Sequence, residues 1–226
     1  MSTRSPKLAL FVQFAAVAKS LGHAHRLELL EQLAQGERSV EVLADRTGLS
    51  IANASQHLQQ MYRAGLVTSR REGRFVYYRL ADEAVLGLLA ALRRIAERNV
   101  AEVERVVRSY FNERDSLEAV SREELFRRSR AGSVTILDVR PEDEYALGHL
   151  PGALNIPLRE LEARLAELDP NHEIVAYCRG PYCMLSYEAV AALRARGFKV
   201  RRLQDGLPEW RAAGLPVVVG TAQSTA

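Results

Sequence analysis

The chain has 226 residues, of which 47% are hydrophobic and 26% charged; this balance excludes disordered, collagenous and fibrous classes, and two cysteines are too few for a disulfide framework. The net charge of +3 hides a division, since residues 1–116 hold 17 basic and 13 acidic side chains (17 − 13 = +4) while residues 117–226 hold 14 and 15 (14 − 15 = −1). A basic half beside a near-neutral half points to two tasks, with a polyanion contact in the first.

No run of 18 uninterrupted apolar residues occurs, so no membrane contact is expected. Arg4 and Lys7, then Leu8–Ala18 with Ala16-Val17-Ala18 before Lys19, imitate a secretory leader. Gln13 interrupts that run, and Phe11, Phe14 and Ala18 fall at helical spacing, so it reads as an amphipathic packing helix. The expected location is the cytoplasm, where thiols are normally reduced.

His25–Leu33 sets Leu27, Leu29, Leu30 and Leu33 on one helical stripe that Gly36 stops. Ser39, Val40, Leu43 and Ala44 begin a short helix that ends at Gly48, and Ser50 caps the next, Ile51–Ala64. Ala54, Leu58 and Met61 share the inner face of that helix. Asn53, Gln56, His57 and Gln60, with Ser50 and Ser55, present groups that can hydrogen-bond base edges. Two short helices joined by a glycine turn, the second polar outside, describe a helix-turn-helix. Leu66–Arg71, a turn at Glu72-Gly73 and Phe75–Leu80 then read as a β-hairpin. Arg70, Arg71 and Arg74 near its tip suit a wing lying along phosphates.

From Asp82 to about Phe111 one long helix is expected, with Val85, Leu88, Leu89, Leu92, Ile95, Val103 and Val106 on its seam. Such a seam is too long for this small domain to cover alone, so a homodimer packed through it and the Leu8–Ala18 helix completes it. Two-fold symmetry would set two recognition helices about one DNA turn apart. His25-Arg26-Leu27, Leu43-Ala44, Leu49-Ser50, Ser55-Gln56-His57-Leu58, Ala64-Gly65-Leu66-Val67 and the Gly73–Tyr78 wing resemble the ArsR/SmtB family of winged-helix repressors over about residues 8–100. The resemblance implies a homodimeric, inducer-released repressor on a double-stranded operator with imperfect inverted repeats. The chain departs from the family's metal sensors: Val40–Arg46 has no cysteine pair and the helix after Asp82 has no histidine. His23, His25 and His57 are read as packing or DNA-facing groups, so neither metal nor cofactor is expected and the inducer is sensed elsewhere.

The second half alternates strand and helix. Glu118–Arg130 is a helix, Val134–Val139 a buried strand, Leu158–Leu168 a helix, Glu173–Tyr177 a strand, Leu185–Arg196 a helix and Lys199–Leu203 a strand. That order predicts an α/β domain with a mostly parallel sheet, whose ligands bind at the carboxyl ends of strands. Both cysteines lie there, in Cys178-Arg179-Gly180-Pro181-Tyr182-Cys183. The amides of Arg179, Gly180, Tyr182 and Met184, with the helix N-terminus, can form an anion cradle that lowers a thiol's pKa and makes Cys178 a nucleophile. The expected organisation is a mainly α winged helix-turn-helix domain over 1–100, a helical linker over 101–116, the α/β domain over 117–220 and a disordered tail over 221–226.

Asp138-Val139-Arg140, Glu144, Gly148–Ala153, Asn155-Ile156-Pro157, Asp205-Gly206, Trp210 and Gly214–Val217 resemble the rhodanese (sulfurtransferase) fold over about residues 117–220. The resemblance implies that Cys178 carries a persulfide within the amide cradle. Asp138 and Arg140 are read as loop anchors, and His149 and Trp210 as turn and core. Many single-domain sulfurtransferases have a basic residue five after the nucleophile; here Cys183 stands there, and Pro181 offers no amide. A second thiol can resolve persulfidated Cys178 by closing a disulfide. The leading expectation is a repressor that senses or transfers sulfane sulfur from polysulfide, persulfide or thiosulfate through Cys178, resolved by Cys183. Three alternatives stay open: a working thiosulfate or persulfide sulfurtransferase tethered near DNA, a thiol-based arsenic- or arsenate-responsive regulator, and a catalytically silent rhodanese fold.

Overall fold

A computed structural model describes residues 5–112 and 119–220, and the chain divides into two units, one ending at Leu89 and one beginning at Ala90. In the first, α1 (Pro6–Leu21) opens with proline, whose missing N–H costs no bond in a first turn. Then come α2 (Ala24–Ala34), the short strand β1 (Arg38–Ser39), α3 (Val40–Thr47) and α4 (Ile51–Arg63). The hydroxyls of Ser39 and Ser50 accept from the amides of Val42 and Asn53, capping α3 and α4. Between those helices Gly48 ends α3 at φ 65, a left-handed conformation that favours glycine. Leu29, Leu30 and Leu33 of α2, Leu43 of α3 and Ala54, Leu58 and Met61 of α4 fill one core.

β2 (Val67–Glu72) and β3 (Phe75–Leu80) form the expected hairpin, but Glu72 still pairs with Phe75, which moves the turn to Gly73-Arg74. β3 also pairs antiparallel with β1, opposing Arg38 to Tyr78, so the sheet order is β1-β3-β2. No strand is legible at Arg38–Ser39 in the sequence, because two residues carry no alternation and only the distant Tyr77-Tyr78 edge makes them a strand.

The long helix after Asp82 is broken. α5 (Ala84–Asn99) ends where Val100 becomes extended at φ −112, ψ 103, and α6 (Ala101–Val106) and a π-helical stretch Val107–Asn112 follow. Asn99 turns its side-chain amide onto the Ile95 carbonyl at 2.8 Å, taking up one of the helix's last acceptors. Val85 and Leu86 are buried with the first core, whereas Leu88, Leu92 and Ile95 are exposed. The junction near Asp115-Ser116 and the tail 221–226 lie outside the described residues, and the helix expected from Glu118 begins only at Arg122, because Val120 bridges Leu203 in parallel and the Ser121 hydroxyl caps the helix.

In the second unit β4 (Thr135–Asp138), β5 (Leu154–Asn155), β6 (Ile174–Tyr177) and β7 (Val200–Arg202) make a parallel sheet in the order β5-β4-β6-β7. The helices are α7 (Arg122–Arg130), α8 (Glu142–Leu147), α9 (Met184–Arg194) and α10 (Leu207–Ala212). Alternation sorts β4 and β6 into two cores. Leu137, Ile174 and Ala176 enter one with Cys178, while Ile136, Val175 and Tyr177 enter the other with Trp210. Both faces are covered, as a parallel sheet requires.

Leu158–Leu168 is not the expected α-helix but two 3-10 turns, Leu158–Glu160 and Leu165–Glu167. Leu158 and Leu161, then Leu165 and Leu168, are each three apart, the spacing that a 3-10 turn stacks on one side. Asp169-Pro170 follows, and a residue before proline is pushed out of helical geometry. Among the described residues no helix is long and apolar enough to cross a membrane.

Candidate functional site

β6 delivers Cys178 to the carboxyl end of the sheet, and Cys183 occupies the N-cap position of α9. The two sulfurs are joined as a disulfide with α-carbons 6.2 Å apart, inside the ordinary range for such a bridge. A spacing of five does bring both thiols together. The Cys183 amide donates to the Gly180 carbonyl at 3.1 Å, and the Leu207 amide donates to the Cys178 carbonyl at 3.3 Å. An open, ionised Cys178 is not what this state displays: Cys178 is 1% and Cys183 8% exposed, within an apolar cluster. The bridge consumes both thiols, and Gly206 lies directly on the loop. A Cβ built on Gly206 would stand 2.4 Å from the Arg179 carbonyl carbon and the Gly180 nitrogen. Gly206 has φ −120, so close approach and not backbone conformation is what requires glycine there.

Around the loop the side chains act as braces. The Arg179 guanidinium makes three bonds to the wholly buried Glu144 carboxylate, at 2.8 to 3.1 Å, so it serves α8 and not a substrate. Gly180 is buried, and Tyr182 and Met184 are half-buried. The Pro181 carbonyl accepts from the Tyr187 hydroxyl at 3.2 Å. Asp138 and Arg140 are both fully buried and pair at 2.6 Å; Arg140 also donates to the Gly148 carbonyl at 2.7 Å. Tyr177 donates its hydroxyl to Asp138 and accepts from the Leu150 amide, which ties β6 to the loop after α8. Burial first, then the nearby Asp138 charge, pushes the Tyr177 phenol well above its ordinary pKa, so it stays a neutral donor. The anchoring role read for Asp138 and Arg140 agrees with these bonds. His149 stacks on Tyr145 at 3.6 Å, and Trp210 donates to the Pro216 carbonyl at 2.8 Å, both buried.

The polar outer face of α4 is present. Asn53, Gln56 and Gln60 are exposed, Ser55 and His57 half-buried, and Ser50 is spent on its cap. Gln60 accepts from Arg26 at 2.7 Å. His57 lies against His23, with ring centroids 4.5 Å apart and the planes tilted by 45°, and His25 lies 6.0 Å away. Burial first, then the charges of His23, Arg26 and His25, hold its pKa below the usual histidine value. Among the described residues no group of three His, Cys, Asp or Glu is arranged to hold a metal ion. On the wing Arg70 is paired with Glu37 at 2.7 Å and with Glu72, and its guanidinium lies over Tyr77. Arg71 donates to the Gly73 carbonyl, and Arg74 lies over Phe75.

Two further residues touch this region without any sequence signal. Tyr182 donates its hydroxyl to Glu97 on α5, and Arg93 pairs with Glu209 of α10 at 2.8 Å. Both lie within the unit that begins at Ala90. Separations of 85 and 116 residues leave no local pattern to read.

Residues 121–213 match the Rhodanese-like domain family and residues 21–70 a Helix-turn-helix domain family. The HTH-type transcriptional regulator Rv0324 of Mycobacterium tuberculosis is 48% identical over 214 residues, covering 95% of this chain and 94% of that protein. The chain belongs to the HTH-type transcriptional regulators and carries a C-terminal rhodanese-like domain. This rhodanese-bearing regulator is also similar, over 86 residues at 35% identity, to a sulfurtransferase of Allochromatium vinosum, with 38% of this chain and 78% of that protein covered. Among solved structures, the homodimeric winged helix-turn-helix fragment of Mb0332 from Mycobacterium bovis, described as a possible ArsR-family regulator, is 44% identical. It covers 44% of this chain and 94% of its own, with a TM-score of 0.40.

Proposed function

We propose that this regulator binds a double-stranded operator as a homodimer and that sulfane sulfur arriving at Cys178 changes its operator affinity. The observation that carries the reading is the Cys178–Cys183 bridge, which places the chain's two cysteines in one loop at the carboxyl end of β6. In the reduced loop the Cys178 thiolate attacks the outer sulfur of a polysulfide or persulfide. The donor's S–S bond breaks, its thiolate leaves, and Cys178 carries a persulfide. Cys183 then attacks the Cys178 sulfur; the new S–S bond closes the bridge and hydrosulfide departs with the Cys183 proton. Two thiols are oxidised and one sulfane sulfur is reduced, so no further oxidant is needed. The N-terminus of α9 favours negative charge at Cys183, which assists that attack.

The homodimer is supported by uncovered apolar surface on the two elements read as its interface. Leu8, Leu10, Phe11 and Phe14 of α1 are each more than half exposed, and Ile95 of α5 is 62% exposed. On α4 the exposed Asn53 and Gln56 suit base edges, while Arg71 and Arg74 suit phosphates. The test is operator binding by the reduced full chain with and without polysulfide. The parent changes affinity and Cys178→Ser does not; an equal response in both overturns the reading. Catalytic turnover is a second reading, favoured by the likeness to the Allochromatium sulfurtransferase. Steady cyanide-dependent consumption of thiosulfate by the full chain would establish it.

A further inference from the structure

The cysteine loop is tied to α5 at two points. Tyr182, the residue before Cys183, donates its hydroxyl to the Glu97 carboxylate. Arg93, one helical turn earlier, lies 3.6 Å from Glu97 and 2.8 Å from Glu209. Glu209 in turn accepts the Gly206 amide at 3.1 Å, closing the first turn of α10, and Gly206 packs on the Arg179–Gly180 backbone. The chain of contacts therefore leaves the loop through Tyr182 and returns to it through Gly206. Glu97 lies two residues before the end of α5, and the same helix begins with Val85 and Leu86, buried in the core that also holds Leu58 and Met61 of α4.

We propose that the Tyr182–Glu97 bond and the Arg93–Glu209–Gly206 chain form a two-point latch through which the sulfur state of the 178–183 loop is passed to α5. Opening the bridge moves the two sulfurs from bonding to van der Waals separation, and the loop must accommodate that change within the four residues between them. Tyr182 is next to one anchor and Gly206 lies over the other side, so neither contact is indifferent to the change. The latch depends on the proposed loop chemistry for its biological trigger. Its physical content is narrower: bridge and α5 bias one another, and by reciprocity each responds to the other.

The test is hydrogen–deuterium exchange of the full chain in three states: both thiols reduced, bridge closed by a disulfide oxidant, and treated with polysulfide. In the parent, amides of Ala90–Asn99 exchange at least threefold differently between the reduced and bridged states. Glu97→Ala, an exposed substitution that keeps a helix former, reduces that difference to less than half, and Tyr182→Phe does the same. Identical α5 exchange in the two states of the parent overturns the latch, and so does a difference that survives both substitutions. A parent that takes up no sulfur from polysulfide, yet shows the reduced-to-bridged difference and loses it in Glu97→Ala, supports the latch while refuting the sulfur reading. The two failures are thereby separated.

Discussion

Replacing Gly206 with alanine perturbs the cysteine loop at one point and almost nothing else. The added Cβ would stand 2.4 Å from the Arg179 carbonyl carbon and the Gly180 nitrogen and 2.5 Å from the Arg179 oxygen, all backbone atoms that cannot rotate aside. Ordinary contact begins near 3.4 Å, so loop and α10 must part by about 1 Å. Because φ is −120, alanine adds no backbone strain, and the cost is the clash, about 1–3 kcal/mol. A displacement of about 1 Å at a reacting group lowers its rate by roughly 100-fold. Gly206→Ala is therefore expected to stay folded with a lower melting temperature, while persulfide formation on reduced Cys178, followed by intact mass against time, slows by about 10- to 100-fold. A variant that melts and accepts sulfur like the parent would refute the reasoning, since the loop would not be held by this contact.

Three further outcomes follow from the braces. Arg179→Met leaves the buried Glu144 carboxylate without its guanidinium and should cost about 3 kcal/mol in denaturant unfolding, with Glu144→Gln in the same chain recovering part of the loss. Asp138→Asn leaves the Arg140 charge fully buried beside a neutral amide and should cost a similar amount, about 3 kcal/mol; an unchanged midpoint would contradict the anchoring role. Because the His57 pKa is lowered by folding, the unfolded chain binds the proton more readily than the native one. Its contribution is intact above the unfolded value of 6.5 and is lost as pH falls below it. The parent's melting temperature should drop between about pH 7.5 and about pH 5.5 by more than that of His57→Gln.

The first domain was legible where chemistry punctuates the chain. Ser39, Gly48 and Ser50 mark three helix ends by capping and by positive φ, and Ala54, Leu58 and Met61 recur at helical spacing. The break at Val100 was not legible, because Asn99 and a β-branched residue are weak signals inside an otherwise continuous seam. The leucines of 158–168 are ambiguous for a related reason: spacings of three satisfy an α-helix and a pair of 3-10 turns alike, and packing on the sheet chooses between them. A spacing of five in a strand-to-helix turn permits the pairing of Cys178 with Cys183 without requiring it. Its enclosure was not legible, since Gly206 and Leu207 come from a segment 28 residues after Cys178 and only the sheet order lays them on the loop. Charge alone makes Arg70 a candidate phosphate ligand. Its pairing with Glu37, 33 residues earlier, depends on β1 reaching β3.

Whether Cys178 takes up sulfur is tested most directly by peptide-level mass mapping of the reduced full chain after polysulfide treatment. Blocking free thiols at short times should find a mass gain of whole sulfur atoms on the peptide at Cys178. At longer times that gain should give way to a Cys178–Cys183 crosslink with hydrosulfide released, and in Cys183→Ser the persulfide should persist. Sulfur found only on Cys183, or on neither cysteine while both remain free thiols, would contradict the account.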